Sequence, residues 1–171
     1  LFIKRFFAYS SVGHVGYLLI GFATGTIEGV YAMMVYTVIY IIMTLNAWTF
    51  ILSTELETKG RGTYFTDLGY LSRINPLLAI TFTMTLLSMA GVPPLAGFCA
   101  KMYVFFAAME GSMYFLAVTG VLTSVIGAFY YIRFIKIMYF EKMRSWTFFR
   151  QISREKSIVL GSTTLFILLF F

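Results

Sequence analysis

The chemistry in this sequence gathers around one lysine and a backbone that cannot stay helical. Lys101 closes the run Ala90-Gly91-Val92-Pro93-Pro94-Leu95-Ala96-Gly97-Phe98-Cys99-Ala100-Lys101, inside an apolar stretch too long for one simple membrane span. Neither proline carries an N–H. The carbonyls of Met89 and Ala90 therefore lose the donors four residues on, and the first ring clashes with the Met89 carbonyl. In hydrocarbon such carbonyls are costly unless protein, water or an ion satisfies them. Discontinuous helices of this kind build many transporter sites. The first half-helix ends in carbonyls of partial negative charge, and the second begins with N–H groups of partial positive charge. Lys101 falls one to two turns into the second half. Side chains lean toward the helix N-terminus, so its ammonium can reach back to the Met89 and Ala90 carbonyls.

An unpaired lysine in a bilayer core costs about 2.5–3.5 kcal/mol on insertion scales. Loss of water disfavours its charge and free carbonyls favour it. A lysine held between the two can give up and recover a proton, which is the chemistry of a relay. The alternative is a lysine whose ammonium snorkels to the polar edge. Glu110 marks that edge nine residues on, about 13 Å at helical rise, beyond the reach of the stem.

His14 is the only histidine. It sits about ten residues beyond Lys4, near mid-membrane, and an unperturbed imidazole titrates near neutral pH. It either passes protons or is a neutral ring bonded to a neighbouring helix. Tyr9, Ser10, Ser11 and Tyr17 flank it and need polar partners. Ser88, Thr83, Thr85, Tyr103, Thr119, Thr123 and Ser124 read as helix–helix packing more than conduction. Glu28 and Glu110 read as solvated edge residues, and Trp48 and Trp146 as interface anchors. Cys99 is the only cysteine. It permits no intrachain disulfide, and one Cys with one His builds no metal cluster. It reads as a small apolar core residue.

These residues must be positioned by membrane-spanning helices. A span needs about 20 mostly apolar residues, and stretches near 6–24, 30–53, 76–108, 113–139 and 157–171 qualify or nearly do. The third is expected to break near 91–97. Asn75 then Pro76 supplies a capping side chain and a first-turn proline. Residues 62–74 mix apolar and polar types and are expected to lie at the interface. The whole, 1–171, reads as one all-α polytopic membrane domain.

Charge then orients the spans. Lys4, Arg5, Lys59, Arg61, Arg73, Lys142, Arg144, Arg150, Arg154 and Lys156 fall before span one or in the 54–75 and 140–156 loops, and Arg133 and Lys136 snorkel to the same end. That is twelve of the 13 basic residues. The connections at 24–29 and 109–112 carry none, and the thirteenth basic residue, Lys101, lies within a span. The positive-inside rule places the basic side in the cytoplasm, or in the matrix of a mitochondrion.

Composition agrees. The 171 residues are 60% hydrophobic and 12% charged, with a net charge of +6, whereas soluble domains carry about 25% charged residues. No basic, aromatic-studded face of a nucleic-acid module is present. There is no phosphate loop, dinucleotide fingerprint, hydrolase triad or iron–sulfur cysteine set, and no targeting peptide is visible. The chain begins at Leu1 and stops in Leu168-Leu169-Phe170-Phe171, so both ends are expected to be cut, processed or divided by a split gene.

Lys4-Arg5-Phe6-Phe7-Ala8-Tyr9-Ser10-Ser11-Val12-Gly13-His14-Val15-Gly16-Tyr17 resembles a signature of the antiporter-like, proton-translocating subunits of respiratory complex I. Its second half looks most like the subunit 2 branch. Asp67-Leu68-Gly69, Asn75-Pro76-Leu77-Leu78-Ala79-Ile80-Thr81-Phe82, the run from Ala90 to Lys101, and Ser124-Val125-Ile126-Gly127-Ala128-Phe129-Tyr130-Tyr131-Ile132-Arg133 continue the likeness in one order, over about residues 3–140. Beyond residue 145 the resemblance is weak. The Phe-rich composition suits an AT-rich organellar genome.

The resemblance implies a fold of about fourteen transmembrane helices with inverted repeats, of which this chain looks like helices ten to fourteen. It implies that Lys101 is the lysine of the broken twelfth helix, that His14 is the histidine of helix ten, and that Lys4 and Tyr9 belong to the proton pathway near the matrix side. The implied function is a membrane-arm subunit of proton-pumping NADH:ubiquinone oxidoreductase in the mitochondrial inner membrane. The alternatives are a cation/proton antiporter subunit of the same superfamily and a purely structural membrane-arm subunit. No cofactor is expected in this chain, with flavin, iron–sulfur clusters and ubiquinone in other subunits. The family's glutamate of helix five and lysines of helices seven and eight are absent. The expected partners are other membrane-arm subunits, a separate chain carrying the missing N-terminal helices, and lipid, with no nucleic acid.

Overall fold

A computed structural model describes residues 2–54, 68–69, 71–141 and 152–170. Seven helices are formed among them: α1 (Ile3–Ala23), α2 (Ile27–Ser53), α3 (Leu71–Ile74), α4 (Pro76–Ala90), α5 (Ala96–Glu110), α6 (Tyr114–Phe140) and α7 (Arg154–Leu169). Lys59, Arg61, Lys142, Arg144, Trp146 and Arg150 lie outside the described residues, as does most of the expected interfacial segment at 62–74.

α1, α2 and α6 are each long and apolar enough to cross a membrane. α4 and α5 have 15 residues each. At 1.5 Å per residue either is about 22 Å long, short of a hydrocarbon core of about 30 Å. Joined end to end they cross it. α2 shows that they are so joined, because it runs antiparallel to both. Near its C-terminus Phe50 stacks on Phe82 of α4, with ring centroids 3.6 Å apart and planes 4° from parallel. Near its N-terminus, Glu28 and Tyr31 share a cavity with Tyr103 and Glu110 of α5.

Local chemistry sets the helix limits. The Thr26 hydroxyl accepts from the Gly29 N–H at 3.0 Å and starts α2. Asn75 Oδ1 accepts from the Leu78 N–H at 3.2 Å, with Pro76 at the first helical position. α4 stops at Gly91, whose φ of +87° is open to a residue without a Cβ. The Gly91 N–H bonds the Ser88 carbonyl and the Val92 N–H bonds the Leu87 carbonyl, which is a Schellman turn.

The broken helix lies at the centre and packs against α1, α2, α6 and α7. α1 shows it a stripe of Ile3, Phe6, Phe7, Ser10, His14, Tyr17 and Ile20, the 3–4 spacing of one helix face. Phe6 meets Tyr131 and Phe134 of α6 edge-on, at 5.6 and 5.4 Å. α7 is held to α2 by Asn46, whose Nδ2 donates to Thr163 Oγ1 at 2.8 Å, and by Lys156, whose ammonium donates to the Leu52 carbonyl at 2.8 Å.

Candidate functional site

The Schellman turn satisfies Leu87 and Ser88 but not the next two carbonyls. Lys101 does that. Its Nζ donates to the Met89 oxygen at 3.0 Å and to the Ala90 oxygen at 2.9 Å. It reaches back one turn and more from inside α5, as the backward lean of helical side chains requires. Its ammonium also lies 5.1 Å from the centroid of the Tyr17 ring, a cation–π contact. Lys101 is 6% exposed. Among the described residues no carboxylate lies within ion-pair distance of it. The charge is thus held by carbonyl dipoles and a ring face. Those partners can keep an ammonium without locking it against a full opposite charge.

The other side of the break is capped from α4. The Ser88 hydroxyl accepts from the Gly97 N–H at 3.0 Å and donates to Met43 Sδ of α2 at 3.1 Å. Gly97 permits this approach, since a Cβ there would overlap the Ser88 carbonyl. Ser88 is therefore part of the break and not merely of the packing between helices. Its role shows only when the two half-helices are placed against each other.

His14 is buried and bonded through both ring nitrogens. Nδ1 lies 2.8 Å from the Tyr36 hydroxyl of α2, and Nε2 lies 3.1 Å from the Tyr131 hydroxyl of α6. A neutral imidazole donates at one nitrogen and accepts at the other, so the two tyrosines play opposite parts. Tyr131 is bonded in turn to Ser10 Oγ. The His14 ring stacks on Tyr40 with centroids 4.9 Å apart. Tyr36 and Tyr131 are 1% and 2% exposed. Sequence analysis singled out neither as a partner of His14. The available signal was that a buried tyrosine must place its hydroxyl on a partner.

His14 and Lys101 line one cavity of about 290 Å³ between α1 and α6, with Ser10, Tyr17, Thr123 and Tyr131 among its walls. It is large enough for several waters. Lys4 is exposed and lines a second cavity of similar size between α1 and α2. Tyr9 is 78% exposed and points off the buried stripe, so the structure does not bring it to His14. Glu28 and Glu110 are exposed at the mouth of a third cavity, of about 460 Å³. Cys99 is half-buried and free. Among the described residues no three His, Cys, Asp or Glu side chains gather as metal ligands would.

Comparison with known proteins places this geometry. Residues 2–127 match the family described as NADH:quinone oxidoreductase/Mrp antiporter, transmembrane. The chain is 52% identical over 169 residues to NADH-ubiquinone oxidoreductase chain 2 of Marchantia polymorpha, covering 99% of this chain and 34% of that protein. It is 46% identical to NADH-quinone oxidoreductase subunit N of Parvibaculum lavamentivorans, covering 99% and 35%. Among solved structures it superposes on a chain of respiratory complex I from Thermus thermophilus with bound aureothin. The TM-score is 0.84 at 27% identity, over 98% of this chain and 37% of that one. The chain thus spans about a third of the length of the curated relatives it matches.

Proposed function

Since the chain belongs to the NADH:quinone oxidoreductase/Mrp antiporter transmembrane family, we propose that it serves in the membrane arm of a proton-pumping NADH:ubiquinone oxidoreductase, where Lys101 takes up and releases a proton. The observation that carries this reading is the pair of bonds from the Lys101 ammonium to the Met89 and Ala90 carbonyls at the helix break. A buried cation held by dipoles alone, beside a cavity shared with His14, can be discharged without stranding a carboxylate. The names of the relatives favour this over a cation/proton antiporter.

His14 is the second station, and Lys4 stands on the approach from the basic side. Tyr9, on the outer face of α1, joins the path through an element that covers that face. The helices corresponding to the rest of the relatives' length pack there in this reading, whether carried by a separate chain or by the same polypeptide. Flavin, iron–sulfur clusters and ubiquinone belong to other subunits of the assembly. The relatives and the basic-side charge bias support a multi-pass location in the mitochondrial inner membrane, with the 54–75 and 140–156 loops in the matrix.

The test is NADH-driven proton uptake by the assembled complex in vesicles. With Lys101→Ala, proton transfer is expected to fall by roughly two orders of magnitude, the lower end of acid–base contributions. Normal pumping by an assembled Lys101→Ala complex would leave the chain a structural role only. Acidification driven by a Na⁺ gradient and not by NADH would assign it to an antiporter instead.

A further inference from the structure

Two cavities meet at the same two residues. The first, already described, runs along α1 and α6 from Ser10 and Tyr131 to Ile20 and Thr119. Ile20 and Thr119 stand within a turn or so of the helix ends on the basic-poor side. The second runs along α1 and α2 from Lys4 and Trp48 at the basic end to Ser11, Tyr40 and Thr44. Ser10 and Met89 line both. Between the two stand the Tyr40 ring, stacked on His14, and the hydrogen-bonded chain Ser10–Tyr131–His14.

We propose that this chain carries its own inner-side inlet, the α1–α2 cavity, and that Ser10 and Tyr131 pass protons from it to His14 and the Lys101 cavity. The inference rests on the respiratory reading above and changes it in one respect: the feed to Lys101 from the basic side does not depend wholly on other helices. A water in the α1–α2 cavity gives a proton to Ser10 Oγ while the Ser10 hydroxyl proton moves to the Tyr131 oxygen. The Tyr131 hydroxyl proton moves to His14 Nε2. Both hydroxyls are restored, the water is left as hydroxide until it is reprotonated from the basic side, and the imidazole carries the charge. The Nε2–H then exchanges Tyr131 for a water of the cavity that His14, Tyr131 and Lys101 line. It gives that water its proton, His14 is neutral again, and the proton passes through water to the neutral Lys101 amine. Tyr36 holds Nδ1 and thereby keeps Nε2 turned to Tyr131, which makes it a positioning residue.

Cysteine labelling in the assembled complex tests the route apart from the pumping. In a Cys99→Ser background, Thr44→Cys should react with a small impermeant methanethiosulfonate cation from the basic side only, and Thr119→Cys from the opposite side only, as read by mass spectrometry of this chain. Tyr131→Phe should slow NADH-driven pumping about tenfold, the rate equivalent of one hydrogen bond lost from the transfer state, with the Thr44→Cys labelling unchanged. Where Tyr131→Phe fails to assemble, Ser10→Ala carries the same expectation. A Thr44→Cys that is silent from the basic side, or an assembled Tyr131→Phe that pumps at the wild-type rate, overturns the inlet. Normal pumping by Lys101→Ala instead overturns the respiratory relay, while the labelling pattern stands or falls by itself.

Discussion

Lys101 replaces two missing backbone donors with one side chain, and the residues around it are chosen for closeness more than for charge. Gly97 lets the start of α5 lie against the Ser88 carbonyl, and the Ser88 hydroxyl answers the Gly97 N–H at 3.0 Å. These two positions should respond differently to substitution. Ser88→Ala removes the bond from the Gly97 N–H and the weak one to the Met43 thioether, and should cost about 1 kcal/mol, leaving assembly intact. Gly97→Ala drives a methyl into a carbonyl oxygen that cannot give way, so α5 must move. It should cost about 1–3 kcal/mol, the range for overpacking. Thermal stability of the detergent-solubilised complex measures both, and equal losses would mean that the close approach is not a constraint. The Lys101 partners were legible from sequence because proline deletes a donor at a countable position. Ser88, Tyr36 and Tyr131 were not, because their partners lie on other helices and nothing in a single chain's spacing names them.

Two prolines and a glycine make a broken helix readable, and the break at 91–95 falls where the missing N–H groups put it. The start of α4 at Asn75–Pro76 was equally legible, since capping is local chemistry. The partner of each helix was not. Asn46 shows why: its position in an apolar run says only that it needs company, and the company is Thr163, on α7. Asn46 is fully buried, and its Oδ1 has no hydrogen-bond partner among the described residues. Two opposed effects therefore meet in Asn46→Leu. It loses the Thr163 bond but also removes an unsatisfied acceptor, whereas Asn46→Ala loses the bond and leaves a cavity. Asn46→Ala should be the less stable of the two by about 1–3 kcal/mol. A reversed order in thermal unfolding would show that the amide oxygen has a partner in the assembly.

Over the whole molecule, bare and basic connections alternate, and the proposed facing of the bundle rests on that alternation. The turn at Gly111-Ser112-Met113 and the one at 24–26 lie at the end away from Lys4, Arg73 and Lys156. The fold supplies the same polarity independently, because Lys156 bonds the last turn of α2 while Glu28 opens that helix at the other end. An impermeant reagent should therefore label Ser153→Cys from the basic side and Ser112→Cys from the other, both positions being exposed. Labelling of both from one side would reverse the reading of the charge bias. The wide apolar faces of α1 and α6, with Val12, Leu19, Val125 and Phe129 all more than half exposed, are the surfaces on which lipid or further helices pack in the proposed reading. The hold of Lys101 on the end of α4 has a thermodynamic side. The charged and neutral amines differ in the strength of their bonds to Met89 and Ala90, since bonds from an ionised donor are roughly twice as strong. Proton occupancy at Lys101 and the stiffness of the bend are then linked quantities. Any distant force that opens or closes the bend shifts the lysine's proton affinity, and proton loss pushes back on the bend by the same free energy.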